Sequence, residues 1–261
     1  MEIKRTTILG LNARYLETIP DDTKATIVVL HGWGSKIESW EGVARLLEIA
    51  GFRVLVPDLP GFGETEEPKT PWKVDDYINF LNNFLESLDV KDFILVGHSF
   101  GGQIAISYAS SETNRAKALV LMGAARIEHR KKLKVKIFGI ISAVGDLPFK
   151  IPPLHMAKPV VQKIWYKITG ERDYYRASEL MKETMKHVLA ETVGHRLESI
   201  KIPTLVLWGE ADKATPLEDG ESIKEKIAGS KLITFPGAGH AINLERTNEV
   251  ARKIGEFVET L

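Results

Sequence analysis

The chain has 261 residues, with 35 Lys and Arg balanced by 35 Asp and Glu, 44% hydrophobic residues and no cysteine. That length is enough for one large α/β domain with a substantial core. The zero formal charge gives no overall pull toward nucleic acid or an anionic membrane, and the lack of Cys excludes disulfides, thiolate metal sites and thiol nucleophiles.

The first residues, Met1-Glu2-Ile3-Lys4-Arg5, lack the apolar core of a signal peptide, and no apolar run is long enough to span a bilayer. A soluble, cytoplasmic protein is expected. Ile3 to Glu17 reads as two short strands turning near Gly10-Leu11-Asn12. Thr26 to Leu30 is a continuous apolar run of the kind found in central parallel strands. It leads into His31-Gly32-Trp33-Gly34-Ser35, a loop whose glycines allow close backbone approach to a ligand. Glu38 to Ala50 has helical periodicity, with Trp40, Val43, Ala44, Leu46 and Leu47 on the expected buried face.

Arg53 to Val56 reads as the next strand, followed by the rigid loop Pro57-Asp58-Leu59-Pro60-Gly61-Phe62-Gly63. Pro71 suits the first turn of a helix running to about Leu88. Phe93 to Val96 is a buried strand by its β-branched and aromatic content, and Gln103 to Ala109 a helix. Between them lies Gly97-His98-Ser99-Phe100-Gly101, a Gly-x-Ser-x-Gly turn in strand-turn-helix context. So tight a turn leaves no room for side chains at Gly97 or Gly101. It holds Ser99 strained at a helix N-terminus, where the dipole and free N–H groups favour developing negative charge.

Ala118 to Met122 is another strand, after which the rhythm stops. Arg126 to His195 reads as helices broken at Asp146-Leu147-Pro148, Ile151-Pro152-Pro153 and Gly170. Strands resume at Thr204 to Trp208 and Lys231 to Phe235, and an amphipathic helix covers Thr247 to Thr260. The expected fold class is therefore α/β. A mostly parallel central sheet carries helices on both faces, with residues 1–124 and 196–261 forming the core and residues 125–195 a helical cap insertion.

A serine hydroxyl is a poor nucleophile until a nearby base takes its proton, and histidine titrates in the right range. Among 7 histidines, His240 lies in the glycine-rich loop Pro236-Gly237-Ala238-Gly239-His240 after a strand. Asp212, in the loop after the preceding strand, is the candidate acid that orients it. Glu210 and Asp219 are neighbouring alternatives. His240 and Asp212 both fall at the C-terminal ends of parallel strands, where open α/β sheets place ligand sites. His31 and His98 flank the site as hydrogen-bonding supports. No pair of histidines has zinc-site spacing.

With those residues in view, the sequence resembles the α/β-hydrolase-fold serine hydrolases that carry a helical cap, over essentially the whole chain. The order Ser99, Asp212, His240 is that family's order. His31-Gly32-Trp33-Gly34 resembles its oxyanion loop, Asp58-x-Pro60-Gly61-x-Gly63 the loop after its next strand, and Gly237-x-Gly239-His240 its histidine loop. Some relatives carry the acid after the strand that follows the elbow. Here that position reads Gly123-Ala124-Ala125, which favours Asp212.

The resemblance implies an oxyanion hole made by the backbone N–H groups of Trp33 and Phe100, and a reaction without cofactor or metal. Relatives that cleave carbon–halogen or epoxide bonds use aspartate where this chain has Ser99. Serine points instead to acyl chemistry, first of all a carboxylesterase. A carbon–carbon bond hydrolase acting on a diketone-type acid is the first alternative, its acid group met by a cap arginine such as Arg126 or Arg176. A non-catalytic binding protein is the second.

The cap holds 14 Lys and Arg against 7 Asp and Glu, a net of +7, so the remainder carries −7. The run Arg130 to Lys136 is densest, and Leu133, Ile137, Ile140 and Ile141 share a helical face. The bland reading is a solvated basic face. The sharper one is a cap that steers an anionic or carrier-bound acyl substrate.

Overall fold

Two strands, Glu2–Ile8 (β1) and Leu11–Thr18 (β2), form an antiparallel hairpin across Leu9 and Gly10. Both turn residues have positive φ, 52° and 78°, as two-residue hairpins require to match strand twist. The computed structural model describes residues 1–128 and 177–261. The chain divides into two compact units, Met1–Glu128 with Glu183–Leu261, and His129–Lys182.

The first unit continues with strands Ala25–Leu30 (β3), Phe52–Pro57 (β4), Phe93–His98 (β5), Ala116–Met122 (β6), Thr204–Gly209 (β7) and Lys231–Phe235 (β8). They form one eight-stranded sheet in the order β1-β2-β4-β3-β5-β6-β7-β8. The pairs β1/β2 and β2/β4 are antiparallel, and every pair from β4 to β8 is parallel. β4 pairs with one edge of β3 and β5 with the other. The strand order therefore reverses at β3, and sheets of this kind place ligand crevices at such a point.

Among the described residues the α-helices are Glu41–Ile49 (α1), Val74–Ser87 (α2), Phe100–Ala109 (α3), Glu179–Ala190 (α4), Leu217–Lys226 (α5), Ile242–Glu245 (α6) and Thr247–Val258 (α7). Strand alternation sorts the core into two layers. Ile27, Val29, Ile94, Val96, Val120, Met122, Leu205 and Leu207 pack with Trp40, Val43, Leu47, Val250 and Ile254 of the α1 and α7 side. Their neighbours Val28, Leu95, Leu119, Leu121 and Val206 are equally buried on the other face, which α2, α3 and α5 cover. Near-continuous apolar strands are what burial on both faces demands.

Three sequence expectations need adjustment. α2 begins at Val74 rather than around Pro71, because the Asp76 carboxylate accepts the Lys73 N–H at 2.7 Å and caps the helix there, while the Trp72 N–H goes to the Thr184 hydroxyl at 3.0 Å. α3 begins at Phe100 rather than Gln103, so Ser99 is the only residue between strand and helix. Leu46 is only partly buried. The basic run Arg130 to Lys136, the face formed by Leu133, Ile137, Ile140 and Ile141, and Arg176 lie outside the described residues.

Candidate active site

β5 ends at His98 and α3 starts at Phe100, so Ser99 must reverse the chain alone. It does so at φ 53°, ψ −113°, a conformation that costs a non-glycine residue roughly 1–3 kcal/mol. The neighbours over-determine it. The Ser99 N–H donates to the carbonyl of Met122 at 2.9 Å, and its own carbonyl accepts from Gln103 at 3.1 Å and Ala125 at 3.0 Å. A Cβ on Gly97 would run into the Gly101 carbonyl and Ala105, and one on Gly101 would overlap the Leu30 carbonyl of β3. Both glycines are therefore steric requirements of the turn. The first N–H groups of α3 lack intrahelical acceptors and point toward the elbow.

The loop after β3 lies directly against Ser99. A Cβ on Gly32 would sit 3.1 Å from both Ser99 Cβ and His98 Nδ1. Trp33 follows in this loop, and its ring packs against that of Phe100 at this corner of the elbow. His31 fixes this loop. Its Nε2 accepts the Leu59 N–H at 2.9 Å, so Nδ1 carries the hydrogen and donates to the Gly32 carbonyl at 2.8 Å. Burial lowers the His31 pKa, more than the Gly32 carbonyl and Asp58 raise it, which keeps the ring neutral. Asp58 is fully buried and accepts from the Ile37 N–H at 2.8 Å, the Glu64 N–H at 3.0 Å and Arg14 at 3.3 Å. It ties the loop after β4 to the loop after β3. The Trp33 ring meets Phe62 and Phe100 edge-on at 4.8 and 5.4 Å, and Tyr77 meets Phe100 at 5.0 Å, so an aromatic wall backs the corner.

Asp212 and His240 come together from the loops after β7 and β8. His240 Nδ1 lies 2.7 Å from Asp212 Oδ2. The other carboxylate oxygen accepts the N–H groups of Ala214 at 2.8 Å and Thr215 at 2.9 Å. Burial pushes the Asp212 pKa up, but the bonds from His240 and Thr215 outweigh it and hold the carboxylate below its ordinary range. Asp212 is therefore ionised at neutral pH, and with Nδ1 facing it the free nitrogen of His240 is Nε2. His98 completes the frame. Its Nε2 stands 2.9 Å from the His240 carbonyl, and the two rings lie 4.8 Å apart. Burial, then the neighbouring His240, push the His98 pKa down to about 4, so the neutral ring donates to that carbonyl.

Glu210 and Asp219, the alternative acids, go elsewhere. Glu210 accepts the Thr234 hydroxyl at 2.8 Å, and Asp219 is a first-turn residue of α5. Arg126 donates from Nε to the carbonyl of Glu191 at 3.4 Å, and its φ is 64°. Two contributors escape sequence reasoning. Gly123, at φ 50°, presents its Cα to the Asp212–His240 pair, and a Cβ there would lie 3.2 Å from His240 Nδ1 and 3.3 Å from Asp212 Oδ2. Thr215 is buried, and its hydroxyl reaches Asp212 Oδ2 at 2.8 Å. The signal for Thr215 lies in Asp212-Lys213-Ala214-Thr215, since an aspartate that turns the chain folds the residue three positions on back over its own carboxylate.

Residues 25–138 match the family model of the alpha/beta hydrolase fold, and residues 179–260 match a model described as TAP-like protein. The chain has the α/β-hydrolase fold. It is 27% identical over 268 residues to a 2-hydroxy-6-oxononadienedioate/2-hydroxy-6-oxononatrienedioate hydrolase of Pseudomonas putida, across 96% of this chain and 93% of that one. Among solved structures, an esterase from Exiguobacterium antarcticum superimposes with a TM-score of 0.77 at 21% identity, covering 98% of this chain and 99% of the esterase. A meta-cleavage product hydrolase of Pseudomonas fluorescens IP01 superimposes with a TM-score of 0.73 at 21% identity, covering 98% and 97%. Among the described residues, no helix is long and apolar enough to cross a membrane.

Proposed function

We propose that this α/β hydrolase is a cytoplasmic carboxylesterase that cleaves small-molecule esters through an acyl-enzyme on Ser99. The observation that carries the reading is the 2.7 Å bond between Asp212 and His240 on the sheet rim that also holds the strained Ser99 turn. In the proposed reaction Ser99 Oγ attacks the ester carbonyl as its proton passes to His240 Nε2. Asp212 stabilises the imidazolium at Nδ1, and the N–H groups of Trp33 and Phe100 hold the oxyanion. Collapse expels the alcohol, which takes the proton from His240. Water, deprotonated by the same nitrogen, then releases the acid. The steps need no cofactor.

Ser99→Ala tests it. The wild type is expected to hydrolyse p-nitrophenyl esters and to be labelled by a fluorophosphonate, and the variant to lose both. Esterase activity surviving in Ser99→Ala overturns the nucleophile. The same experiment separates a non-catalytic binding protein, which would take up no label in either form.

A second reading is supported by the relative of Pseudomonas putida, which shares nearly the full length. The same Ser99 and His240 would serve a carbon–carbon bond hydrolase acting on a diketone-type acid, with Arg126 meeting the acid group. Comparing kcat/KM for p-nitrophenyl esters with that for a vinylogous diketone acid decides between them.

A further inference from the structure

We propose that Thr215 is a positioning residue of the centre, its hydroxyl acting as a rotating switch between the Asp212 carboxylate, the Gly123 carbonyl and His240 Nδ1. The inference rests on the reading of Asp212 and His240 as acid and base. Thr215 Oγ1 lies 2.8 Å from Asp212 Oδ2, 3.1 Å from the Gly123 carbonyl and 3.2 Å from His240 Nδ1. A hydroxyl has one proton and two acceptor lone pairs, so it cannot satisfy all three partners in the same way at once.

While His240 is neutral, its Nδ1–H donates to Asp212 Oδ2, and the Thr215 hydroxyl adds its own hydrogen to that carboxylate. Once His240 carries the Ser99 proton, a second arrangement is favoured. The Thr215 O–H turns to the Gly123 carbonyl and presents its oxygen to the charged Nδ1–H. Only a hydrogen moves, and no proton leaves Thr215. The imidazolium thus gains a second acceptor at the moment it forms, which is differential stabilisation of the charged state.

Several features hold the hydroxyl on its axis. The Thr215 N–H is bound to Asp212 Oδ1 at 2.9 Å, and the Thr215 carbonyl accepts the Trp208 indole N–H at 2.9 Å. Gly123 supplies the third partner from just beyond β6, where the carbonyl and the bare Cα both face the pair. Among the described residues, the ionisable groups that contact the His240 ring are Asp212 and His98, and His98 is neutral above about pH 4.

The test compares Thr215→Val, which keeps the shape and removes the hydroxyl, with Thr215→Ser, which keeps the hydroxyl. Thr215→Val is expected to lower kcat about 10- to 100-fold with KM little changed, the size of one hydrogen bond to a charged group. The acid limb of its kcat/KM profile is expected to move to lower pH, because the imidazolium loses more than the neutral ring. Thr215→Ser is expected to recover most of the rate and the profile. A parallel readout needs no turnover: the low-field NMR resonance of His240 Nδ1–H and the pH at which that ring titrates. Both are expected to shift in Thr215→Val and return in Thr215→Ser.

The proposal is overturned if Thr215→Val leaves profile and resonance unmoved, or if Thr215→Ser is as impaired as Thr215→Val. Should Thr215→Val not fold, Thr215→Ala takes its place against the same serine control. Because the resonance reports the Asp212–His240 pair directly, it reads Thr215 even if fluorophosphonate labelling refutes Ser99 as nucleophile.

Discussion

His98 sits immediately before the proposed nucleophile and holds the backbone of the proposed base, so its charge state matters twice. Its pKa falls from 6.5 to about 4 on burial beside His240. An unfolded chain restores the ordinary value, so between these pH values the unfolded state binds the extra proton. Stability is then full above about pH 6.5 and is lost as pH falls toward 4, by about 3 kcal/mol in all. His31, lowered by burial as well, acts in the same direction. Asp212 is depressed, so its contribution is lost only lower, as pH falls from its unfolded value near 4 through its folded one. Urea unfolding of the wild type is therefore expected to show stability declining between pH 7 and 4.5. His98→Asn keeps an N–H for the His240 carbonyl but cannot titrate, and its decline should be visibly shallower. An unchanged slope would mean that His98 is not held neutral in the folded protein.

At the scale of elements, the elbow and its glycines separate what shapes the fold from what shapes the chemistry. Gly101 lies under the Leu30 and His31 carbonyls, so Gly101→Ala forces β3 and α3 apart and is expected to cost more than about 4 kcal/mol or prevent folding. Gly123→Ala meets side chains instead, at 3.2 Å from His240 and 3.3 Å from Asp212, with an αL penalty of about 1–2 kcal/mol. It is expected to fold and to lose kcat, and thermal melts beside kinetics check the pair. If Gly123→Ala keeps full activity, the carboxylate–imidazole geometry is not what limits turnover. The elbow is readable because Gly-x-Ser-x-Gly and its flanking runs are local, and so are β3 to β7, each of which carries an apolar run. α5 is not, because in Leu217–Lys226 only Ile223 among its apolar residues is fully buried and no stripe forms. α2 starts three residues beyond Pro71 because the Asp76 carboxylate caps the helix at Lys73. Thr215 and Gly123 were hidden for another reason. Their meaning is a contact between the loops after β6 and β7, 92 positions apart in the chain, and no local pattern encodes it.

Across the whole molecule the charges cancel but are not evenly distributed along the chain. Residues 126–195 carry +7 and the rest −7. The basic segment follows β6 in the chain. Steering by so basic a segment would raise the local concentration of anionic substrates and leave neutral ones alone. Ionic strength separates that effect from contact chemistry, since the Debye length falls from about 30 Å at 0.01 M salt to about 10 Å at 0.1 M. For an ester bearing a remote carboxylate, kcat/KM is expected to fall by about tenfold or more over that range, the lower end of known steering effects. For its uncharged analogue it should stay nearly constant. Replacing Lys131, Lys132, Lys134 and Lys136 with Gln should flatten the first curve and leave the second where it was. Equal salt dependence for the two esters would assign the basic residues to solvation alone.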